Sequence, residues 1–99
     1  MTAVSNVRSQ LLPLLDLLVA QLEADGDAGS ASWFRSVAAA LEAAREEEDL
    51  LLIFLERLGP TGPMADAADF SAMARLRLDQ VLAQAQAVAF AFSAQGDPH

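Results

Sequence analysis

Apolar residues in this chain recur at helical spacing in three segments, separated by two clusters of turn formers. The clusters are Asp25-Gly26-Asp27-Ala28-Gly29-Ser30 and Gly59-Pro60-Thr61-Gly62-Pro63. Runs of Gly, Pro, Asp and Ser punctuate regular structure. Nowhere do β-branched residues alternate with polar ones, as they do in a half-buried strand. Alanine, the strongest helix former, is abundant. The pattern predicts an all-α fold in a single domain, 1–99, with helices over about 5–24, about 31–58 and about 66–94.

The first segment carries Leu11, Leu12, Leu14, Leu15, Leu17, Leu18, Val19 and Leu22. These cover most of a helix circumference and leave Asp16, Ala20 and Glu23 for water, so this helix is buried on several sides. With Ser9 as N-cap, Pro13 falls near the first turn; an earlier start at Thr2 or Ser5 implies a bend before it. In the second segment, Ser30 or Ser32 caps the start. Gly59 suits a left-handed residue past the end, and Pro60 forbids continuation. A straight helix there puts Trp33, Val37, Ala40, Ala44, Leu51, Leu55 and Leu58 on one face. Arg35, Glu42, Arg45, Glu46, Asp49 and Glu56 lie opposite, with Arg45 and Asp49 placed for an i,i+4 ion pair. The run Leu50–Leu55 is apolar regardless of face and implies contact from more than one side.

The third segment starts at Asp66 or Asp69 and ends before Gly96. Its main stripe is Phe70, Ala74, Leu78, Val81, Ala85, Val88 and Phe92. A second stripe, Ala72, Leu76, Ala83, Ala87 and Phe90, lies nearly opposite. One packed face explains the first stripe and leaves the second without cover. At 1.5 Å per residue the first helix is about 30 Å long and the other two about 40 Å each. The architecture expected is an up-down-up antiparallel three-helix bundle with a short first helix. The long pair then overhangs by about 10 Å, and such a patch is sticky on a monomer. A two-fold homodimer, joining two bundles into a larger one through Leu76, Ala83, Ala87 and Phe90, removes it.

Composition changes this picture mainly by exclusion. Of 99 residues, 54% are hydrophobic, which excludes intrinsic disorder. There is no cysteine, lysine or tyrosine, and the one histidine is His99. That removes disulfides, thiolate metal sites and a cysteine nucleophile. No nucleophile–base pair, metal cluster or cofactor motif can be assembled, so a non-enzymatic protein without cofactor is expected. The net charge is −8, and the arginines at 8, 35, 45, 57, 75 and 77 are scattered among acids. This argues against nucleic-acid binding and against anionic membrane surfaces. The apolar run Leu11–Leu22 is too short to span a bilayer. Asp16 interrupts it as a secretory h-region and no small-x-small cleavage site follows, so a cytoplasmic location is expected.

Few polar residues are candidates for chemistry. Glu48 falls inside the apolar face of the second helix, between Ala44 and Leu51. A buried carboxylate needs a partner, for which Arg77 is the first candidate and Arg75 the second. The reading favoured is a structural ion pair or a snorkelling glutamate; a ligand-binding or proton-handling carboxylate is the alternative. The run Glu46-Glu47-Glu48-Asp49 spreads around the helix axis, and no histidine joins it as a di-metal bundle requires. Counted as a calcium loop from Asp25, the decisive positions hold Gly29, Ser30 and Ser36, so a plain turn is expected. Gly59–Pro63 has no following lysine and is not a phosphate loop. Trp33 is expected to close one end of the core.

The stretch Leu55–Asp66, LERLGPTGPMAD, resembles a segment of small uncharacterised bacterial helical proteins. In those, a helix end is followed by Gly-Gly-x-Gly-Ser, an apolar residue and an Asp. Trp33-Phe34 followed by Leu41 also fits their spacing, so the resemblance spans about half the chain. Pro60 and Pro63 stand where glycine and serine belong in that pattern. The resemblance implies a bacterial, cytoplasmic, non-enzymatic module, with Asp66 as the cap of the third helix, and supplies no activity. The function expected is a small self-associating protein–protein interaction module. Its rivals are an acidic neutralising partner for a basic protein (an antitoxin, immunity protein or chaperone) and a small-molecule-binding bundle with Glu48 and an arginine as its polar groups.

Overall fold

A computed structural model describes the backbone over residues 3–95 and side chains over 4–90, so the expectations for Phe92 and Gly96 lie outside it. The elements are α1 (Ala3–Ala24), α2 (Ala28–Ala43), α3 (Glu47–Ile53), a π-helical turn (Phe54–Leu58), α4 (Thr61–Ala68) and α5 (Ala72–Gln95). The fold is all-helical, as the periodicity implies.

Helix α1 is the central element, packed on α2 and on α5. Val4, Val7, Leu11, Leu15, Leu18 and Leu22 are buried along it at three- and four-residue spacing. Ala31, Phe34, Val37 and Leu41 of α2 meet them from one side, and Ala74, Leu78, Val81, Ala85 and Val88 of α5 from the other. Phe34 and Phe70 close one end edge-to-face, with ring centroids 6.5 Å apart. Helix α1 runs through Pro13, which is exposed. Water can there serve the Ser9 carbonyl that proline leaves without an amide.

Polar contacts fix the directions. The Arg8 guanidinium donates to the Glu42 carbonyl (2.9 Å), so α2 ends beside the start of α1. The Ser71 hydroxyl donates to the Asp25 carboxylate (2.6 Å), and Gln84 donates to Gln10 (2.7 Å). Helix α5 therefore starts at the end of α1 and runs antiparallel to it, as α2 does. This overturns the up-down-up expectation, under which the third long helix is parallel to the first. Of the expected lengths, that of the first helix holds and that of the second fails. Helices α1, α2 and α5 have 22, 16 and 24 residues, or about 33, 24 and 36 Å. The first helix is not short, and no overhang of two long helices arises.

The cause lies in residues 44–71, which carry the chain from one end of α1 back to the other. The expected helix over 31–58 breaks at Ala44 (ψ 136°) and Glu46 (φ −128°, ψ 162°). The Asp49 carboxylate holds the break by accepting the backbone N–H groups of Arg45 (3.0 Å) and Glu46 (3.2 Å). Asp49 thus binds the Arg45 amide, in place of the side-chain ion pair expected on a continuous helix. The break also resets the helical phase: Leu50 and Ile53 turn inward, while Leu51 and Leu55, placed inward on a straight helix, stay exposed.

Past the π turn the chain bends without a loop. The Gly59 N–H donates to the Phe54 carbonyl (2.9 Å), and Gly59 has φ −54°, so it is not the left-handed residue expected. Its lack of a side chain matters for another reason, since a Cβ there would stand 2.6 Å from the Leu55 carbonyl oxygen. Thr61 is buried and its hydroxyl donates to the Leu58 carbonyl (2.6 Å). Pro60 and Pro63 fall at and just inside the start of α4, where a missing N–H costs nothing. The cluster ends the preceding helical segment at Leu58, as expected, and also forms the first turn of α4.

Two helices end in the same way. Gly26 (φ 82°) and Asp69 (φ 56°) are left-handed, each followed by an N–H that reaches back five residues, Asp27 to Leu22 and Phe70 to Ala65. Asp27 then caps α2 by accepting the Ser30 N–H (3.0 Å). Ser71, not Asp66 or Asp69, caps α5 by accepting the Ala74 N–H (3.2 Å). Asp66 instead lies inside α4 and pairs with Arg75 (2.7 Å).

Two substitutions test these turns. Gly59→Ala should lower unfolding free energy by about 1–3 kcal/mol, because the clash is with backbone and outweighs the helix propensity of alanine. Asp69→Gly should raise it by about 0.5–1 kcal/mol, since relief of left-handed strain exceeds the added unfolded-state entropy. Urea titration reads both.

Candidate functional site

Helix α5 presents two faces. The inward one, Ala74, Leu78, Val81, Ala85 and Val88, is buried against α1. The outward one carries Leu76 at 49% exposure and Phe90 at 77%, with Ala72, Ala83 and Ala87 also exposed. Every residue of the second stripe is therefore on the surface. Met73, 45% exposed, extends it by one turn. The expected stripe omits Met73, although it sits three residues before Leu76 and so on the same face. The charged residues of α5 are Arg75, Arg77 and Asp79; none occurs from Gln80 to Gln95.

A second apolar set lies where the phase shift leaves it. Leu51, Leu52 and Leu55 are exposed on α3 and the π turn. Glu47, Glu48 and Glu56 are exposed on the same elements. Glu48 is therefore not the buried carboxylate expected. The break before α3 moves it into the first turn of a new helix, where the positive end of the helix dipole favours an acid in water. Arg77 is half-buried on α5. The ion pairs among the described residues are Arg35–Glu23 and Arg75–Asp66, and neither includes Glu48 or Arg77.

The hollows are shallow and apolar or already satisfied. A groove of about 670 Å³ between α1 and α2 is floored by Val19, Ala20, Ala38, Ala39 and Ala43, with Arg35 and Glu23 paired across it. A smaller one, about 340 Å³, brings Asp25, Asp27 and Asp69 to one end of the molecule. Asp25 there accepts from Gln21 (3.0 Å) and Ser71, and Asp27 from Ser30. Among the described residues no group of three or more His, Cys, Asp or Glu is placed to hold a metal. Trp33 packs half-buried against the core, and its indole N–H is buried without an acceptor among the described residues.

Two carboxylates titrate below their usual value. Asp27 is lowered first by its side-chain hydrogen bond with Ser30 and then by the Ser30 amide; Asp49 is lowered by the amides of Arg45 and Glu46. Both are helix or elbow caps, so the shifts mark structure.

No protein-family model, curated protein or solved structure matches this chain. Among the described residues no helix is long and apolar enough to cross a membrane. The outer face of α5 is an extended apolar surface that the described residues leave uncovered.

The caps predict a pH dependence. A carboxylate lowered in the folded state stabilises fully above its unfolded pKa, near 3.8, and loses that contribution as pH falls through the lower folded value. Urea midpoints should be flat above about pH 5 and fall below about pH 4. Replacing both Asp27 and Asp49 by Asn should flatten that fall.

Proposed function

We propose that this chain is a non-enzymatic helical interaction module that self-associates as a homodimer through the outer face of α5. The observation that carries the reading is the exposure of Leu76 and Phe90 on the outer face of α5, whose second half, Gln80 to Gln95, is uncharged. Burying one such side chain fully is worth about 1.5–3 kcal/mol. Two copies contribute four of them, but Leu76 is already half covered, so the gross gain lies toward the low end of the ~4–15 kcal/mol of freedom lost on association. The alanines and Met73 between and beside them then decide the balance, and the dimer is of moderate strength and concentration-dependent. Docking two α5 faces joins two bundles into a larger one. The stretch of α5 from Gln80 to Gln95 carries no acid, so two copies that meet there avoid contact between like charges, which destabilises.

A second reading rests on Leu51, Leu52 and Leu55 beside Glu47, Glu48 and Glu56. An apolar patch rimmed by acids suits a basic, amphipathic segment of another protein, and makes the chain an acidic neutralising partner. Binding of that kind is fast and weakens steeply with salt.

Light scattering behind size exclusion, at two concentrations and two salt levels, tests the first reading. The native chain should show a dimer that dissociates on dilution. Leu76→Glu with Phe90→Glu should give a monomer at every concentration with helicity unchanged, since both sites are exposed. A dimer that survives the double substitution sinks the assignment to α5; a native chain that is monomeric throughout sinks self-association.

A further inference from the structure

We propose that the outer face of α3 and the π turn docks a helix of another protein that carries two basic residues seven positions apart with an apolar pair between them. The inference rests on the reading of this patch as the site of a basic partner and specifies the pattern that partner presents.

Two rows run side by side along the patch. Glu47, Leu51 and Leu55 form one, and Glu48, Leu52 and Glu56 the other, each at four-residue spacing. Helix α3 passes into the π turn through αR residues without a break, so the rows are continuous, and all six residues are exposed. Leu52 is 53% exposed and Leu55 74%. Rows at this spacing are the ridges by which helices pack, and the furrow between them receives a ridge of another helix. Beside the second row lies a hollow of about 390 Å³, lined by Leu52 and Glu56 on one side and by Ala40, Ala43 and Ala44 of α2 on the other.

Folding accounts for only part of this arrangement. The helix dipole favours Glu47 and Glu48 at the start of α3. Glu56 stands toward the opposite end of the same helical stretch, where the dipole disfavours an acid. Among the described residues none of the three glutamates has an ion-pair partner, and their neighbours in sequence, Arg45 and Arg57, pair with none of them.

Charge selects the occupant. Leu52 lies between Glu48 and Glu56 in one row, so whatever covers it also meets two carboxylates. A second copy that brings the same patch there sets each glutamate near its like, and phosphates of a lipid surface or nucleic acid meet the same repulsion. A basic helix meets both acids with the opposite charge. Glu48 and Glu56 are eight residues apart, about 12 Å along the axis. On a partner helix, residues seven apart share a face and stand about 10.5 Å apart, within reach of both acids through long Lys or Arg side chains. The third and fourth positions after the first base then fall opposite Leu52 and Leu55.

The test uses the full chain and two capped alanine–glutamine peptides of about 18 residues, long enough to form helix. Each carries a neutral fluorophore, and binding is read by anisotropy. One peptide has two Arg seven positions apart, with Leu at the third and fourth positions between them. The other has the same composition with its two Arg on opposite helix faces. The patterned peptide should bind at least about tenfold tighter than the rearranged one. Glu48→Arg with Glu56→Arg should weaken it at least about tenfold. Asp16→Arg with Asp79→Arg, an equal change of charge at exposed sites elsewhere, should leave it within about twofold, because distant surface charges are screened. Leu52→Gln with Leu55→Gln, which keeps every charge, should also weaken it at least about tenfold. Circular dichroism checks that each variant keeps its helicity. Equal binding of both peptides, lost in the Glu48 and Glu56 variant, overturns the pattern while the basic-partner reading stands. Full binding in the leucine variant means attraction without docking and overturns the inference. Binding that both charge variants reduce alike comes from net charge and overturns the inference and that reading together, as does no binding of either peptide up to about 1 mM. A native dimer that the leucine variant converts to a monomer means that a second copy covers the patch, and overturns both as well.

Discussion

Every other feature of this fold answers one requirement: the buried row of α1, from Val4 to Leu22, has to be covered from two sides along its whole length. Helix α2 covers one side and α5 the other, both antiparallel to α1. Two helices with the same direction cannot be joined by a tight turn. The chain leaves α2 at the start of α1 and must begin α5 at its end. Residues 44–71 make that journey. Each change of direction there has its own device: the Asp49 carboxylate on two backbone amides, a glycine against the Leu55 carbonyl, the buried Thr61 hydroxyl, and a left-handed Asp69.

The return path also sets the surface. Breaking the helix at Ala44–Glu46 rotates α3 and the π turn, so that Leu50 and Ile53 go inward and three neighbouring apolar residues do not. Covering α1 with the inner face of α5 leaves the outer face with nothing from the described residues of its own chain. The two exposed apolar sets thus have different origins. One is left by a change of phase, the other by a helix that is apolar on both sides.

The acidic character divides in the same way. Asp25, Asp27 and Asp49 serve the backbone, or a side chain at the helix ends, and two of them titrate low for that reason. Glu46, Glu47, Glu48 and Glu56 stand in water. The second half of α5 carries no charge at all.

The all-helical class and the two faces of α5 are legible from periodicity, because a long unbroken helix keeps its phase. Every residue of its inner stripe within 4–90 is buried and every residue of its outer stripe is exposed. The buried residues of α1 also follow from spacing, and its cover by α2 and α5 from its broad apolar surface, but Leu17, expected inward, stays exposed. The break at Ala44–Glu46 is illegible to the same method: alanine, arginine and glutamate are good helix formers, and only the Asp49 cap and the need to leave α2 decide against them. With the break missed, the direction of α5, the inward residues of α3 and the position of Glu48 all come out wrong, since each depends on phase carried across it. Local sequence determined which segments are helical and which faces are apolar, because those depend on neighbours three and four residues away. Tertiary packing alone decided how the segments are directed and which apolar residues stay outside, because those depend on which face of α1 still needed cover.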